Sequence, residues 1–337
     1  MSGITIKLLA EKLNLSTATI SKALGDSHEI SDATKQRVLN LARELNYVPN
    51  AYAGSLRRNV SKTIAVLVPE VADSFFSLAL NGIEEVALAK GYHTLIYLTH
   101  EKLEREQAIL KALAGGRVDG AIMSVTAETN IYDHIQEFNR QLPVVFFDRV
   151  CEEIDTAKIT TDDYQCGYNA TQHLIEAGCR KIAILSIPNN NLSIICERIK
   201  GFKAALADNG LNAEDGDILY CPEEPGDSYN FIKEIMFSGN PPDGIVATVE
   251  KLTTDIYLVS QQLGINIPKQ LKVVCFSNQA SVNILTPSLT TITQPAFEMG
   301  KAAATVLLKS LRNNELIMKE ESMVIPSILM ARGSSVG

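Results

Sequence analysis

No stretch of this 337-residue chain holds 18 or more consecutive apolar residues, so a membrane-spanning helix is not expected. Its six cysteines (Cys151, Cys166, Cys179, Cys196, Cys221, Cys275) never pair as C-x-x-C, and none precedes residue 151. Thiols scattered through apolar surroundings read as small buried hydrophobes in a reducing compartment. The five histidines show no H-E-x-x-H or similar spacing, which argues against a zinc site. Also missing are G-x-S-x-G, a P-loop, a G-x-G-x-x-G behind a strand and any convergent histidine–carboxylate set. The expectation is a chain that is not an enzyme and has no metal or cofactor, although an enzyme on this scaffold stays open.

A composition of 46% hydrophobic and 21% charged residues is that of an ordinary soluble globular protein. The length exceeds what one core normally serves, so two or three domains are expected. The start, MSGITIKLLAEKLN, is interrupted by Lys7, Glu11 and Lys12 and has no small-residue cleavage site, so a cytoplasmic location is expected. Charge is unevenly spread. Residues 1–62 carry nine lysines and arginines against five acids, while the whole chain has a net charge of -8. A basic head on an acidic body points to a head that meets a polyanion, although chance clustering gives the same count.

Within the head, Ile6, Leu9, Ala10 and Leu13 form one apolar stripe and predict a helix over Thr5–Leu13, closed by Asn14. Ser16 is a good N-cap for a second helix, in which Ile20, Ala23 and Leu24 face the first. Thr17, Ala18, Ser21 and Lys22 then face outward, and Gly25 ends the helix. Ser31 caps a third helix whose stripe is Val38, Leu41, Ala42 and Leu45. Three short helices with a tight turn between the first two make a helix-turn-helix, whose second helix enters the major groove of double-stranded DNA. Small residues let the backbone approach base edges. Thr17 and Ala18 offer methyl groups to thymine and Lys22 donates to guanine, while Ser16, Thr19 and Ser21 suit phosphates. A three-helix bundle that docks a protein carries the same pattern.

The ordered matches I-T-I…L-A, L-S-x-A-T-I-S-K-A-L, S-x-x-T-K-Q-R-V and Y-V-P-N-A-Y-A-x-S-L span about 58 residues and resemble the DNA-binding head of the lactose-repressor (LacI/GalR) family. The resemblance implies a hinge helix after Pro49 that folds when two subunits meet over DNA. Leu56 would then wedge into the minor groove beside Ala53 and Arg57, with Asn50 on the DNA backbone. Alone, so short a helix is marginal. The same reading implies a homodimer on a palindromic operator.

From Lys62 the pattern changes to short β-branched runs alternating with amphipathic stretches. TIAVLVP (63–69), TLIYLTH (94–100), GAIMSVT (120–126) and PVVFFDR (143–149) read as strands buried on both faces, and the alternation restarts after Asp163. The class is α/β, with two lobes and a cleft between the carboxyl ends of two sheets. MVIPSILM (323–330) reads as a final strand. Domains are placed at 1–49, 50–61 and 62–337, with lobe 1 at about 62–161 and 293–322 and lobe 2 at about 162–292 and 323–337.

The runs V-P-E-V-A-D-S-F-F-S, R-I-K-G-F and P-S-L-T-T-I-T-Q-P-x-x-x-M-G are similar to the periplasmic-binding-protein-like sensor domain of that family. This implies a small effector, a sugar or sugar derivative, between the lobes. Arg198 falls on the family's effector-binding arginine, and on spacing alone is equally a solvated helix arginine. Asp148 falls on a frequent polar contact, or pairs with Arg149. Of Phe75 and Phe76, one is expected to stack on a ligand ring and the other to sit in the core. Thr248-Val249 and Cys275-Phe276-Ser277-Asn278 stand where the family usually has acidic acceptors, leaving Thr248 and Ser277 as weaker polar contacts unless Glu250 substitutes. The functional expectation is a transcription regulator, a repressor of carbohydrate-utilisation genes. The alternatives are a soluble solute-binding protein and a regulator gated by a partner protein.

Overall fold

The computed structural model describes residues 4–47, 60–188, 192–211, 217–222, 226–316 and 318–336. Asn50, Ala53, Leu56 and Arg57 lie outside the described residues. The chain divides into two compact units, Met1–Ser61 and Lys62–Gly337.

The head holds α1 (Ile6–Leu13), α2 (Thr17–Leu24) and α3 (Asp32–Glu44) around a small core of Leu9, Ala10, Ile20, Ala23, Val38 and Ala42. Thr5 caps α1, and Asn14 ends it in the left-handed region at φ 50°. Ser16 Oγ accepts the Thr19 N–H at 3.0 Å, which makes it the N-cap expected from its side chain. Ser31 occupies the N-cap position of α3 but its hydroxyl bonds Thr34 Oγ1 instead of the backbone.

The body begins with β1 (Thr63–Val68), α4 (Ser74–Ala89), β2 (His93–Leu98), α5 (Leu103–Leu113), β3 (Gly120–Met123), α6 (Asp133–Asn139), β4 (Val144–Phe147) and β5 (Lys158–Thr160). It continues with α7 (Asp163–Glu176), β6 (Ile182–Ser186), α8 (Ser193–Asp208), β7 (Ile218–Tyr220), α9 (Asp227–Met236), β8 (Gly244–Ala247), α10 (Leu252–Leu263) and β9 (Lys272–Phe276). It closes with β10 (Thr290–Thr293), α11 (Ala296–Asn313), β11 (Met323–Val324) and β12 (Ile328–Met330). Two six-stranded sheets result, ordered β11-β5-β4-β3-β1-β2 and β12-β10-β9-β8-β6-β7. The pairings are parallel except β10 with β12.

Two expectations need correction. The run 323–330 is not one strand: β11 joins the first sheet beside β5 and β12 the second beside β10, with Ile325–Ser327 crossing between them. Pro326 lacks the N–H that a continuous ladder requires, and residues 323–324 thus belong to the first lobe rather than the second. Nor is 94–100 buried on both faces, because β2 is a sheet edge and Leu95 and Ile96 are exposed. Apolar content alone does not separate an edge strand from a central one.

The two lobes share a packing device. In the first, a Cβ on Gly82 would stand 2.1 Å from the Phe297 carbonyl oxygen, and one on Gly300 2.1 Å from that of Ala79. In the second, a Cβ on Gly167 would stand 2.1 Å from the Arg198 carbonyl oxygen, and one on Gly201 2.0 Å from that of Tyr164. Backbone thus lies directly on backbone where α4 crosses α11 and α7 crosses α8. Among the described residues, no helix is long and apolar enough to cross a membrane.

Gly201→Ala should force α8 off α7, lowering the stability of the body by about 1–3 kcal/mol or more in urea denaturation. An unchanged urea midpoint would mean the helices can separate freely.

Candidate functional site

The cleft lies where a doubly wound sheet places ligands, beyond the carboxyl ends of strands on either side of the order reversal. The turn after β1 brings Asp73, Phe75 and Phe76; the end of β4 brings Asp148 and Arg149. From the second lobe come Arg198 on α8, Thr248 and Glu250 after β8, Ser277 and Asn278 after β9, and Gln294 after β10. They surround about 390 Å³ of empty volume, part of it open to solvent. All six residues picked from the sequence, Phe75, Phe76, Asp148, Arg198, Thr248 and Ser277, line this space.

Phe75 and Phe76 do not divide their duties as expected. Both are buried in the first lobe's core and both form the cleft wall, with ring centroids 5.3 Å apart and Phe147 behind them. Arg198 is no solvated arginine, being only 2% exposed. Its Nε donates to Asp163 Oδ1 at 2.7 Å and one Nη to the Thr248 carbonyl at 2.6 Å, while the guanidinium lies 4.0 Å above the Phe276 ring. The Thr248 hydroxyl is committed to Ser186 at 3.1 Å.

Asp148 sits at φ 61°, an uncommon conformation for a residue with a Cβ that aspartate tolerates better than most. It accepts from Ser124 Oγ at 3.4 Å, and Arg149 Nε stands 3.8 Å away. Arg149 itself is claimed by Glu101, whose two oxygens each accept from one Nη at 2.8 Å. Burial pushes the Asp148 carboxyl up to about 7, offset in part by the Arg149 charge. Burial and then the charge of Glu250 push Asp73 up to about 6.

Glu250 is the residue that sequence reasoning left undecided, and it is central. Its Oε1 accepts the Ser74 N–H of the opposite lobe at 2.7 Å, while Oε2 accepts from the Asn278 N–H at 3.2 Å and Ser277 Oγ at 3.3 Å. The substitutions at Thr248-Val249 and Ser277-Asn278 therefore do not leave the cleft without acidic acceptors. Its carboxylate reaches the N-terminus of α4, where a helix favours negative charge. Asp73, Arg149, Asp163 and Gln294 were also missed. Asp73 had a legible signal as the N-cap of α4, accepting the Phe75 N–H at 2.8 Å. Among the described residues, no three His, Cys, Asp or Glu side chains form a metal-binding group.

The raised Asp148 carboxyl links ligand-free stability to pH. Its folded value exceeds the unfolded one, so its contribution is fully present below about pH 4 and is lost as pH rises through about 7. Asp148→Asn should therefore stabilise the ligand-free protein by on the order of 4 kcal/mol at pH 8 and by nothing at pH 4. Equal effects at both values would show that the carboxyl is not buried in its charged form.

In the head, Ser16, Thr17, Ala18, Ser21 and Lys22 are exposed, Thr19 half-buried, and Ile20 and Ala23 turned inward. Lys22 pairs with Glu29.

The family model described as "Bacterial regulatory proteins, lacI family" matches residues 5–50, and that described as "Periplasmic binding proteins and sugar binding domain of LacI family" matches residues 61–331. A relative is the HTH-type transcriptional repressor PurR of Photobacterium profundum, 30% identical over 310 residues, covering 92% of each chain. Among solved structures, the lac repressor dimer bound to operator and an anti-inducer shares the fold at a TM-score of 0.86, with 19% identity and all of both chains covered. A LacI-family regulator from Enterococcus faecium with bound ribose is 27% identical, with a TM-score of 0.71, over 81% of this chain and 98% of that one. A helix-turn-helix head joined to a two-lobed α/β body, matched by models along nearly its whole length, makes this chain a member of the LacI family of DNA-binding transcriptional regulators, not an enzyme.

Proposed function

We propose that this protein is a repressor of carbohydrate-utilisation genes that binds a palindromic operator as a homodimer, with affinity set by a small effector in the cleft. The observation that carries the DNA half is the outward face of α2, which presents Thr17, Ala18, Ser21 and Lys22 to solvent while its apolar side packs on α1 and α3. Thr17 and Ala18 read thymine methyls and Lys22 a guanine edge, exchanging its Glu29 partner for the base. Ser16, already committed to capping α2, brings its helix N-terminus to a phosphate together with Thr19. A division into residues 1–49, 50–61 and 62–337 suits this reading. Asn50 would then touch the DNA backbone, and Ala53, Leu56 and Arg57 would form the minor-groove hinge.

The effector half rests on the cleft walls: two phenylalanines, a buried arginine and several carboxyls between lobes that cross at three places. The bound ribose of the Enterococcus faecium regulator supports a sugar or sugar derivative here. An effector acts by binding one lobe arrangement better than another, and shifts DNA affinity only by that difference.

Duplexes selected from a random pool by the full chain should share an inverted repeat. Lys22→Ala should weaken binding to them by about 1–3 kcal/mol and relax one base position in each half-site. Arg198→Ala should leave operator binding intact and abolish its response to effector, measured by fluorescence anisotropy. Selection of no duplex would remove the proposal.

A further inference from the structure

Charge in the cleft is out of balance. Its two guanidiniums each already face a carboxylate outside the pair Asp73 and Glu250: Arg198 meets Asp163 at 2.7 Å, and Arg149 meets Glu101 at 2.8 Å with its Nε 3.8 Å from Asp148. Asp73, Asp148 and Glu250 line the same space, and among the described lining residues there is no further cation to answer them. Glu250 accepts from two backbone N–H groups and a hydroxyl. Asp73 has the Phe75 N–H and shares the N-terminus of α4 with Glu250, so one helix end faces two carboxylates. A helix terminus supplies only about half a positive charge. Asp148 has one long bond, at 3.4 Å from Ser124 Oγ.

A second feature points to what is missing. Gln294 is 7% exposed and lines the cleft, yet its Nε2 has no hydrogen-bond partner. Such a buried donor requires an acceptor. The lining thus calls for positive charge near Asp73 and Asp148 and for accepting oxygens near Gln294 Nε2 and Arg149 Nε.

We propose that the effector is a polyhydroxylated molecule with one protonated amine, an amino sugar or close analogue, whose ammonium group lies among the carboxyls of Asp73 and Asp148. This rests on the effector reading of the cleft and narrows it. The hydroxyls serve Gln294, and the apolar ring face meets the wall of Phe75 and Phe76. A sugar phosphate or sugar acid fits poorly, since it would add negative charge beside Asp73, Asp148 and Glu250. A neutral sugar satisfies the hydrogen bonds but leaves the carboxyls uncompensated.

The proposal carries a pH signature. Asp148 feels Arg149 and Arg198 from one sign and Asp163 and Asp73 from the other; Asp73 feels Glu250 and Glu70 against Arg149. With both carboxyls pushed up, a bound cation must displace their protons, so its affinity rises with pH.

The test is calorimetric titration of the full chain with glucosamine and galactosamine, their parents glucose and galactose, and glucuronate. An amino sugar should bind about tenfold or more tightly than its parent, and increasingly so from about pH 5.5 to about 7. Asp148→Asn and Asp73→Asn, both near-isosteric, should each erase that preference. Parents or glucuronate binding as tightly as the amines, in a manner lost in Arg198→Ala, would overturn the amine and leave the effector cleft standing. No binding by any of the five also overturns the amine. Failure of the full chain to select any duplex would instead strike the regulator reading beneath it.

Discussion

The cleft is closed by one carboxylate that belongs to neither wall alone. Glu250 leaves the second sheet at the end of β8 and accepts the first free N–H of α4 in the opposite lobe. Burial of a carboxylate is costly unless dipoles or charges receive it. Here the receivers come from both lobes, so the charge is satisfied only while the lobes stay together. Ala127 of the first lobe adds an apolar contact, packing against Ile187, Leu192, Ile194 and Ile195 of the second. The crossings hold the same boundary from the other side. Asp162 Oδ1 accepts the Ser327 N–H at 2.8 Å, and Asn278 and Gln294 bond reciprocally, at 2.7 Å through the Asn278 amide.

Much of this was legible in the residues. The helix stripes of the head appear with the expected buried positions, because a small bundle has only one way to hide Leu9, Ile20 and Val38 together. Central strands were legible from apolar runs, since a parallel sheet covered on both faces tolerates nothing else. Edges were not: TLIYLTH reads like its neighbours, and only the sheet order exposes Leu95 and Ile96. The break at Pro326 was legible in principle, from the missing N–H, but a continuous apolar run masked it.

The site divided along similar lines. Residues in motifs, such as Arg198 and Asp148, were readable as positions, yet their partners were not. Asp163 lies 35 residues before Arg198, and Glu101 48 before Arg149. Only the fold brings such pairs together. Glu250 shows the limit most clearly. Comparing residue types position by position finds acidic acceptors replaced, whereas the loop after β8 returns a carboxylate one residue later. Where the Glu250 side chain reaches depends on the fold of that loop, which sequence reading lacks.

These facts bear on how ligand and motion can be coupled. The glycine contacts at α4–α11 and α7–α8 bring backbones together within each lobe, so each lobe packs as a unit and the soft degrees of freedom lie at the crossings. Arg198 sits one turn from Gly201 on α8, and Asp73 and Ser74 begin α4, so the groups facing the cleft ride on those same packed helices. Glu250 joins the lobes through this chain's own groups. A ligand changes the balance only through what it adds beyond Glu250: neutralising Asp73 and Asp148, and engaging the Gln294 amide. The unbalanced charges of the cleft lining are therefore the place where differential affinity between lobe arrangements can arise.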